Sequence, residues 1–345
     1  MAFRTGVVVD PACLAHDMGR HHPETPKRLQ VLLEMMMTSD VRDLGVRMLD
    51  GRRALPAEIT AVHTPEHYRR IMSTAGRTVA LDLDTTAGPR SFEAAMHAAG
   101  AAIALSEAVA VGEVSNGFAL VRPPGHHADA SRAMGFCLFN NAAIVARFAR
   151  DSLRLDRVAI VDFDVHHGNG TQSIFYKDPS VLVISTHQSP GYPGTGAADE
   201  TGEGKGVGCN VNIPLAPGHG DPEFDAIYGG LVVRLLERFK PQMIIVSAGF
   251  DIFAGDVLGS MDVTAQGFSR IASHLRAAAD RLCGGRLVML LEGGYSIVGL
   301  RDGVMACLGA MASTQKVPAI KGILDDLPMG DALRHLPVYR QHFDI

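Results

Sequence analysis

Five short stretches of this 345-residue chain collect ionisable side chains at spacings that suit hydrolysis. Arg122-Pro-Pro-Gly-His126-His127 puts two adjacent histidines after a turn with little freedom. Asp162-Phe-Asp164-Val-His166-His-Gly-Asn169-Gly mixes carboxylates, imidazoles and glycine. Ser185-Thr186-His, Ser-Ala-Gly-Phe-Asp251 and Glu292-Gly-Gly-Tyr295 complete the set. Asp164 and His166 are two apart, so on an extended segment their side chains point the same way. With Asp251 they form a mixed oxygen and nitrogen donor set with room for water or substrate, as a catalytic zinc site requires. Ferrous iron suits the same donors. The alternative is a polar strand end that holds no metal, and spacing alone leaves both open.

Two histidines on one rigid loop, facing such a site, suit proton transfer. Each needs an acceptor on its other ring nitrogen. Asp162 and Asn169 flank the metal candidates and could supply them. An aspartate raises its histidine's basicity more than an asparagine does, so the pair would divide its labour. Tyr295 follows two glycines that let the chain bend and leave space for the phenol. A phenol near a polarised carbonyl stabilises the oxyanion of a tetrahedral intermediate. Standing alone, this tyrosine would read as a surface turn. Together the groups describe metal-assisted amide hydrolysis.

These stretches need a scaffold that brings them together. Short apolar runs recur at Thr5–Val9, Phe118–Val121, Val158–Val161, Val181–Ile184, Met243–Val246 and Leu287–Leu291. Several are apolar at every position, as strands buried on both faces of a parallel sheet are. Helical stretches lie between them at Phe92–Val111, Asn141–Arg150, Glu223–Phe239, Thr264–Leu282 and Val298–Ala312. The alternation predicts a single α/β domain with helices on both faces of a parallel sheet. The run after Arg286 should be a central strand. Nearly every run ends in polar residues, and such folds bind ligands at the carboxyl ends of their strands.

Bulk properties narrow the class. Hydrophobic residues make up 47% and charged residues 20%, enough for a sizeable core. A formal charge of -5 leaves no basic excess to neutralise nucleic-acid phosphates. The five cysteines are odd in number and lack metal-site spacing, which suits free thiols in a reducing compartment. Met1–Asp10 does not read as a secretory signal. The apolar stretch around Ala94 to Ser106 is too short to span a bilayer. A cytoplasmic protein without membrane partners is expected.

The ordered motifs resemble the arginase/deacetylase superfamily, and within it the histone deacetylase and acetylpolyamine amidohydrolase family. Gly135-Phe-Cys137, Tyr192-Pro-Gly-Thr-Gly196 and His21-His-Pro-Glu24 add to those above. The resemblance runs from about His16 to Gly303. It implies an about eight-stranded parallel sheet, with residues 304–345 as a C-terminal helical extension. It implies zinc on Asp164, His166 and Asp251. His127 would be the general base and acid, paired with Asn169, and His126 an electrostatic partner, paired with Asp162. Tyr295 would stabilise the oxyanion. Phe136, Tyr192, Gly135, Leu258 and Gly294 would line the substrate channel, with Asp84 anchoring the substrate backbone. Most relatives carry Phe where Tyr192 stands. Structural potassium would sit at Asp162, Asp164, His166, Ser185 and Thr186, and again at Phe175, Asp178 and Val181. A homo-oligomer is left open.

Leu258 is apolar where polyamine-specific relatives carry an acid. This favours an acylated lysine peptide over an acylated polyamine. A non-catalytic acyl-lysine binder would have lost a metal ligand or the tyrosine, and all are present. A two-metal, arginase-like hydrolase would need further carboxylates where His126, His127 and Asn169 stand.

Overall fold

A computed structural model describes residues 4–345 except 319, 321 and 344. Among the described residues ten strands appear in chain order: β1 Thr5–Val8, β2 Arg47–Leu49, β3 Val79–Ala80, β4 Thr86–Ala87, β5 Asn116–Ala119, β6 Val158–Asp162, β7 Val181–Gln188, β8 Asn210–Leu215, β9 Met243–Ala248 and β10 Leu287–Leu291. Eight of them form one sheet in the order β2-β1-β5-β10-β9-β6-β7-β8. All its pairings are parallel. β3 and β4 make a separate two-stranded hairpin. β10 is central, as its run of Leu, Val and Met predicts, and all five of its residues are buried.

The sheet differs from the sequence expectation in three places. β5 starts at Asn116, two residues before the apolar run, because Asn116 pairs with Thr5 and Leu287. Its side-chain oxygen accepts from the Thr5 hydroxyl at 2.8 Å, so a polar residue is satisfied inside the strand. β2 and β8 were not expected at all. Both are edge strands, where sequence is less apolar. In β8 the residues alternate Asn-Val-Asn-Ile-Pro-Leu, and Pro214 is tolerated because the strand lies at an edge.

Helices cover the sheet. Ser91–Ala110 is buried along almost its whole length. Gly100 lets it meet the backbone of Arg52–Ala54, where a Cβ would lie 2.0 Å from the Arg52 carbonyl. The apolar stretch around Ala94 is therefore a core helix, and among the described residues no helix is long and apolar enough to cross a membrane. The helix expected at Glu223–Phe239 runs from Asp221 but widens to a π-turn at Ile227–Val232. Gly229 and Gly230 lie there, facing the His274 ring and Leu327. Helix Ile297–Ala312 is followed by short turns and helix Leu336–Phe343, which reaches β8 through the Tyr339 hydroxyl and the Asn212 carbonyl, 2.8 Å.

Two buried histidines brace the loop between β5 and helix Asn141–Asp151. His63 Nδ1–H donates to the Asp129 carbonyl at 2.9 Å, and its Nε2 accepts from the Asn140 N–H at 2.9 Å. His67 Nε2 lies 2.8 Å from the Leu138 carbonyl. Burial, then the neighbouring His67, lowers His63 from 6.5 to about 3. Below pH 6.5 the unfolded chain takes up a proton that the folded chain refuses until about pH 3. Stability from this group is thus full above 6.5 and falls on acidification. We expect it to cost roughly 2 kcal/mol between about pH 8 and about pH 5. His63→Gln should be less stable near neutrality but lose that much less over the same interval in urea melts. Parallel losses in both proteins would assign the acid sensitivity elsewhere.

Candidate active site

The sheet's carboxyl edge gathers the polar residues. Asp162 ends β6, and Asp164 and His166 follow it. Asp251 follows β9, the strand paired with β6. One ligand atom from each of Asp164, His166 and Asp251 lies within 4.8 Å of the others. The convergence does not come from an extended segment, as expected, because the chain bends after β6. Backbone N–H groups hold that bend. His166 donates to Asp164 Oδ1 at 3.0 Å, Val165 to Asp251 Oδ1 at 2.9 Å and Gly293 to Asp164 Oδ2 at 2.8 Å.

Two carboxylates are thereby forced together out of water. Asp164 and Asp251 are fully buried. Burial, then repulsion from Asp164, raises Asp251 to about 7. Burial opposes charge on His166, but its bonds to Asp164 and Asp251 raise it to about 10. Asp251 Oδ2 is buried, and beyond a 3.4 Å approach from His166 Nδ1 it has no hydrogen bond. A cation would satisfy this oxygen, and two oxygens with one imidazole nitrogen fit zinc or ferrous iron. Glycines make the room: a Cβ on Gly293 would lie 2.1 Å from Asp251 Oδ2, and one on Gly249 2.2 Å from Asp164 Oδ2.

The two histidine rings lie 4.0 Å apart between centroids, tilted by 43°, and differ in partner as expected. His126 Nδ1 lies 2.9 Å from Asp162 Oδ2, and His127 Nδ1 lies 2.7 Å from Asn169 Oδ1. Burial disfavours charge on His126, but Asp164 and Asp162 outweigh it and hold its pKa well above the usual value. Burial, then the charges of His126 and His166, holds His127 well below. His127 is therefore neutral. Its Nδ1–H is committed to Asn169, which leaves Nε2 as the free basic nitrogen.

A cavity of about 250 Å³ opens above them, lined by Asp84, His127, Gly135, Phe136, His166, Tyr192, Leu258 and Tyr295. Phe136 meets Tyr295 edge-on at 5.8 Å, and Tyr192 meets His127 edge-on at 5.1 Å. Phe136 holds a left-handed φ of 69°, which its N–H bond to Thr85 Oγ1 secures. Gly135 must lack a side chain, since a Cβ would lie 2.2 Å from the His127 ring. Asp84 Oδ1 accepts from the Gly135 N–H at 3.2 Å and the Thr85 hydroxyl at 2.7 Å. Gly294, expected in the lining, is not among the residues that line this cavity. Its φ of 113° turns the chain against Phe250, and its carbonyl accepts from Arg28 Nε at 2.7 Å.

The expected potassium ligands fall into two groups. Asp162, at the end of β6, is the register partner of Ser185 within β7, and the Thr186 hydroxyl donates to the Asp162 carbonyl at 3.3 Å. Phe175, Asp178 and Val181 are linked by backbone bonds in the turn before β7.

Three residues beside the site carry no role in the sequence reading. Arg28 bonds the Glu292 and Gly294 carbonyls and sets its guanidinium 4.9 Å from the Tyr295 ring centre. Glu24 is buried between Arg28 and Arg122; burial would raise its pKa, but Arg122 and His16 outweigh it and hold it well below the usual carboxylate range. Glu292 Oε2 accepts from the N–H groups of Gly125 and His126, at 2.6 and 3.2 Å, and so fixes the histidine turn. Glu24 and Glu292 stand inside the quoted motifs. Glu24 pairs with Arg28 four residues on, a spacing the sequence does show, and with distant Arg122, while the backbone N–H partners of Glu292 leave no local spacing to read.

The histone deacetylase domain family matches residues 22–311. This chain belongs to that family. As a histone deacetylase family member it is a hydrolytic enzyme that acts on amide bonds. It is 40% identical over 296 residues to a protein of Archaeoglobus fulgidus named "Probable deacetylase", covering 86% of this chain and 82% of that one. It is 41% identical over 326 residues to a "Histone deacetylase-like amidohydrolase" of Pseudomonas aeruginosa, covering 86% and 83%. The solved HDA15 HD domain superposes with a TM-score of 0.91 at 37% identity, over 100% of this chain and 96% of that one.

Metal content tests the donor set of this histone deacetylase family site without reference to turnover. We expect one zinc or iron per chain after loading, with a thermal midpoint that rises on binding. Asp251→Ala should lower retained metal to below about one tenth and remove the thermal shift. Undiminished metal in that variant would place the ion elsewhere.

Proposed function

We propose that this chain removes acyl groups, acetyl foremost, from lysine side chains of peptides or proteins, with zinc held by Asp164, His166 and Asp251. The observation that carries the reading is the 250 Å³ cavity, which places a neutral histidine and a phenol beside the metal-ligand histidine. Its walls are Phe136 and Tyr192, apolar faces suited to an aliphatic chain, and its rim residue Leu258 offers no charge to a distant ammonium.

Zinc, when bound, polarises the amide carbonyl and acidifies a water. His127 Nε2 takes the water's proton as oxygen attacks the carbonyl carbon. Asn169 keeps the ring in the tautomer that allows this. Burial pushes the Tyr295 phenol well above its ordinary pKa, Asp251 and Asp164 add to this, and Arg28 opposes it. The phenol is therefore protonated, and its O–H donates to the developing oxyanion. His126, charged beside Asp162, balances the carboxylates while His127 cycles. His127 then returns its proton to the lysine Nζ as the C–N bond breaks, leaving a carboxylate and a free amine. Asp84 at the mouth takes backbone amides of the substrate. Potassium belongs to the same proposal, at Asp162, Asp164, His166, Ser185 and Thr186 and at Phe175, Asp178 and Val181.

Tyr295→Phe should lower kcat by about 10² to 10³, with its melting curve unchanged. His127→Ala should fall at least as far. Unchanged turnover in either would contradict the assigned role. A panel of acetyl-lysine peptides, acetylputrescine and acetylspermidine decides the substrate. Higher kcat/KM on the peptides is expected, and a preference for the polyamines would overturn the peptide assignment.

A further inference from the structure

The phenol that polarises the substrate stands on an unstable footing. Gly293 and Gly294 precede it, and glycines hold their backbone least firmly. Arg28 pins the carbonyls on this side, of Glu292 and Gly294. On the other side a single carboxylate collects the N–H groups. Asp256 Oδ2 accepts from Tyr295 and from Ser296, both at 2.7 Å. Its other oxygen, Oδ1, accepts from the Leu258 N–H at 3.0 Å. Asp256 is itself 7% exposed, so these three donors replace its water.

The turn that carries Asp256 is well anchored. Gly255 takes a φ of 84°, and the Asp256 N–H donates to the Phe253 carbonyl at 2.9 Å. Phe253 bridges to Val263, and Ala254 donates to the Val263 carbonyl at 2.9 Å. Ser296 caps helix Ile297–Ala312 by accepting from the Gly299 N–H at 3.2 Å. Leu258 lines the same cavity as Tyr295. Asp256 thus ties three parts together: the metal-ligand loop that begins at Asp251, the rim of the channel and the backbone of Tyr295.

We propose that Asp256 is a positioning residue for the deacylation, fixing the Tyr295 phenol against the substrate carbonyl and locking it to the rim at Leu258. The proposal rests on the reading of Tyr295 as the oxyanion donor. The carboxylate is neither among the residues that line the cavity nor in the metal-ligand triad. It acts through two peptide N–H groups, and a displacement of about 1 Å at a reacting group costs about 10²-fold in rate.

A double-mutant cycle on the zinc-loaded protein tests it, with an acetyl-lysine peptide as substrate. The four proteins are wild type, Asp256→Ala, Tyr295→Phe and the pair. Asp256→Ala is expected to lower kcat by about 10²-fold with KM within about threefold. Combined with Tyr295→Phe it should lower kcat by less than about twofold more, because the phenol it positions is already gone. A full further loss in the double variant would make Asp256 a general structural residue and overturn the proposal, as would an unaltered kcat in the single one. Zinc content and thermal midpoint are read on all four. Should Asp256→Ala fail to fold, Asp256→Asn carries the same cycle, since it keeps one acceptor oxygen and loses the other. Failure of the underlying reading shows separately, as an unaltered kcat in Tyr295→Phe alone.

Discussion

The crowding of Asp164 and Asp251 is the constraint on which the rest of the site depends. Two carboxylates buried side by side repel each other and have lost their water, and each ion removed from water costs several kcal/mol. The chain tolerates this only because it brings compensating groups to the same point. His166 lies 2.9 Å from Asp164 and 3.4 Å from Asp251. Backbone N–H groups of Val165, His166 and Gly293 take three carboxylate bonds. Asp251 Oδ2 has only that 3.4 Å approach from His166 and no hydrogen bond, which leaves it free to take a cation.

Further charges surround that pair. Asp162 pairs with His126, and Glu292 holds the histidine turn. Glu24, Arg28 and Arg122 form a buried cluster that meets Glu292 at its carbonyl and reaches Tyr295 through the Arg28 guanidinium. Removing one member of such a cluster strands its partners without water, which costs about 3–5 kcal/mol. Catalytic and structural charges are therefore one network, and the phenol, the two histidines and the metal ligands cannot be placed independently.

The sequence shows the strand interiors and the chemistry well. The buried strands carry apolar runs, and the acids, imidazoles and tyrosine fall where those runs end. It shows edges poorly. β2 and β8 mix polar and apolar residues because one side of each meets no further strand. Asp164 and His166 share a face through a bend held by Asp251 and Gly293, and no spacing rule contains that. Glu292 and Asp256 escape for a similar reason: they bind backbone N–H groups, whose positions exist only in the fold. The resemblance implies Gly294 in the channel lining, yet it does not line the cavity, and its φ of 113° turns the chain against Phe250.

The central claim is that one metal ion and the Tyr295 hydroxyl address the same acyl carbonyl. Its most direct test is a crystal of zinc-loaded Tyr295→Phe protein soaked with an acetyl-lysine peptide, measured at the zinc absorption edge. A single anomalous peak among Asp164, His166 and Asp251 is predicted. The acetyl carbonyl should lie between that peak and the ring of residue 295, with the lysine chain between Phe136 and Tyr192. Two peaks in the cavity, or a carbonyl turned away from residue 295, would contradict it.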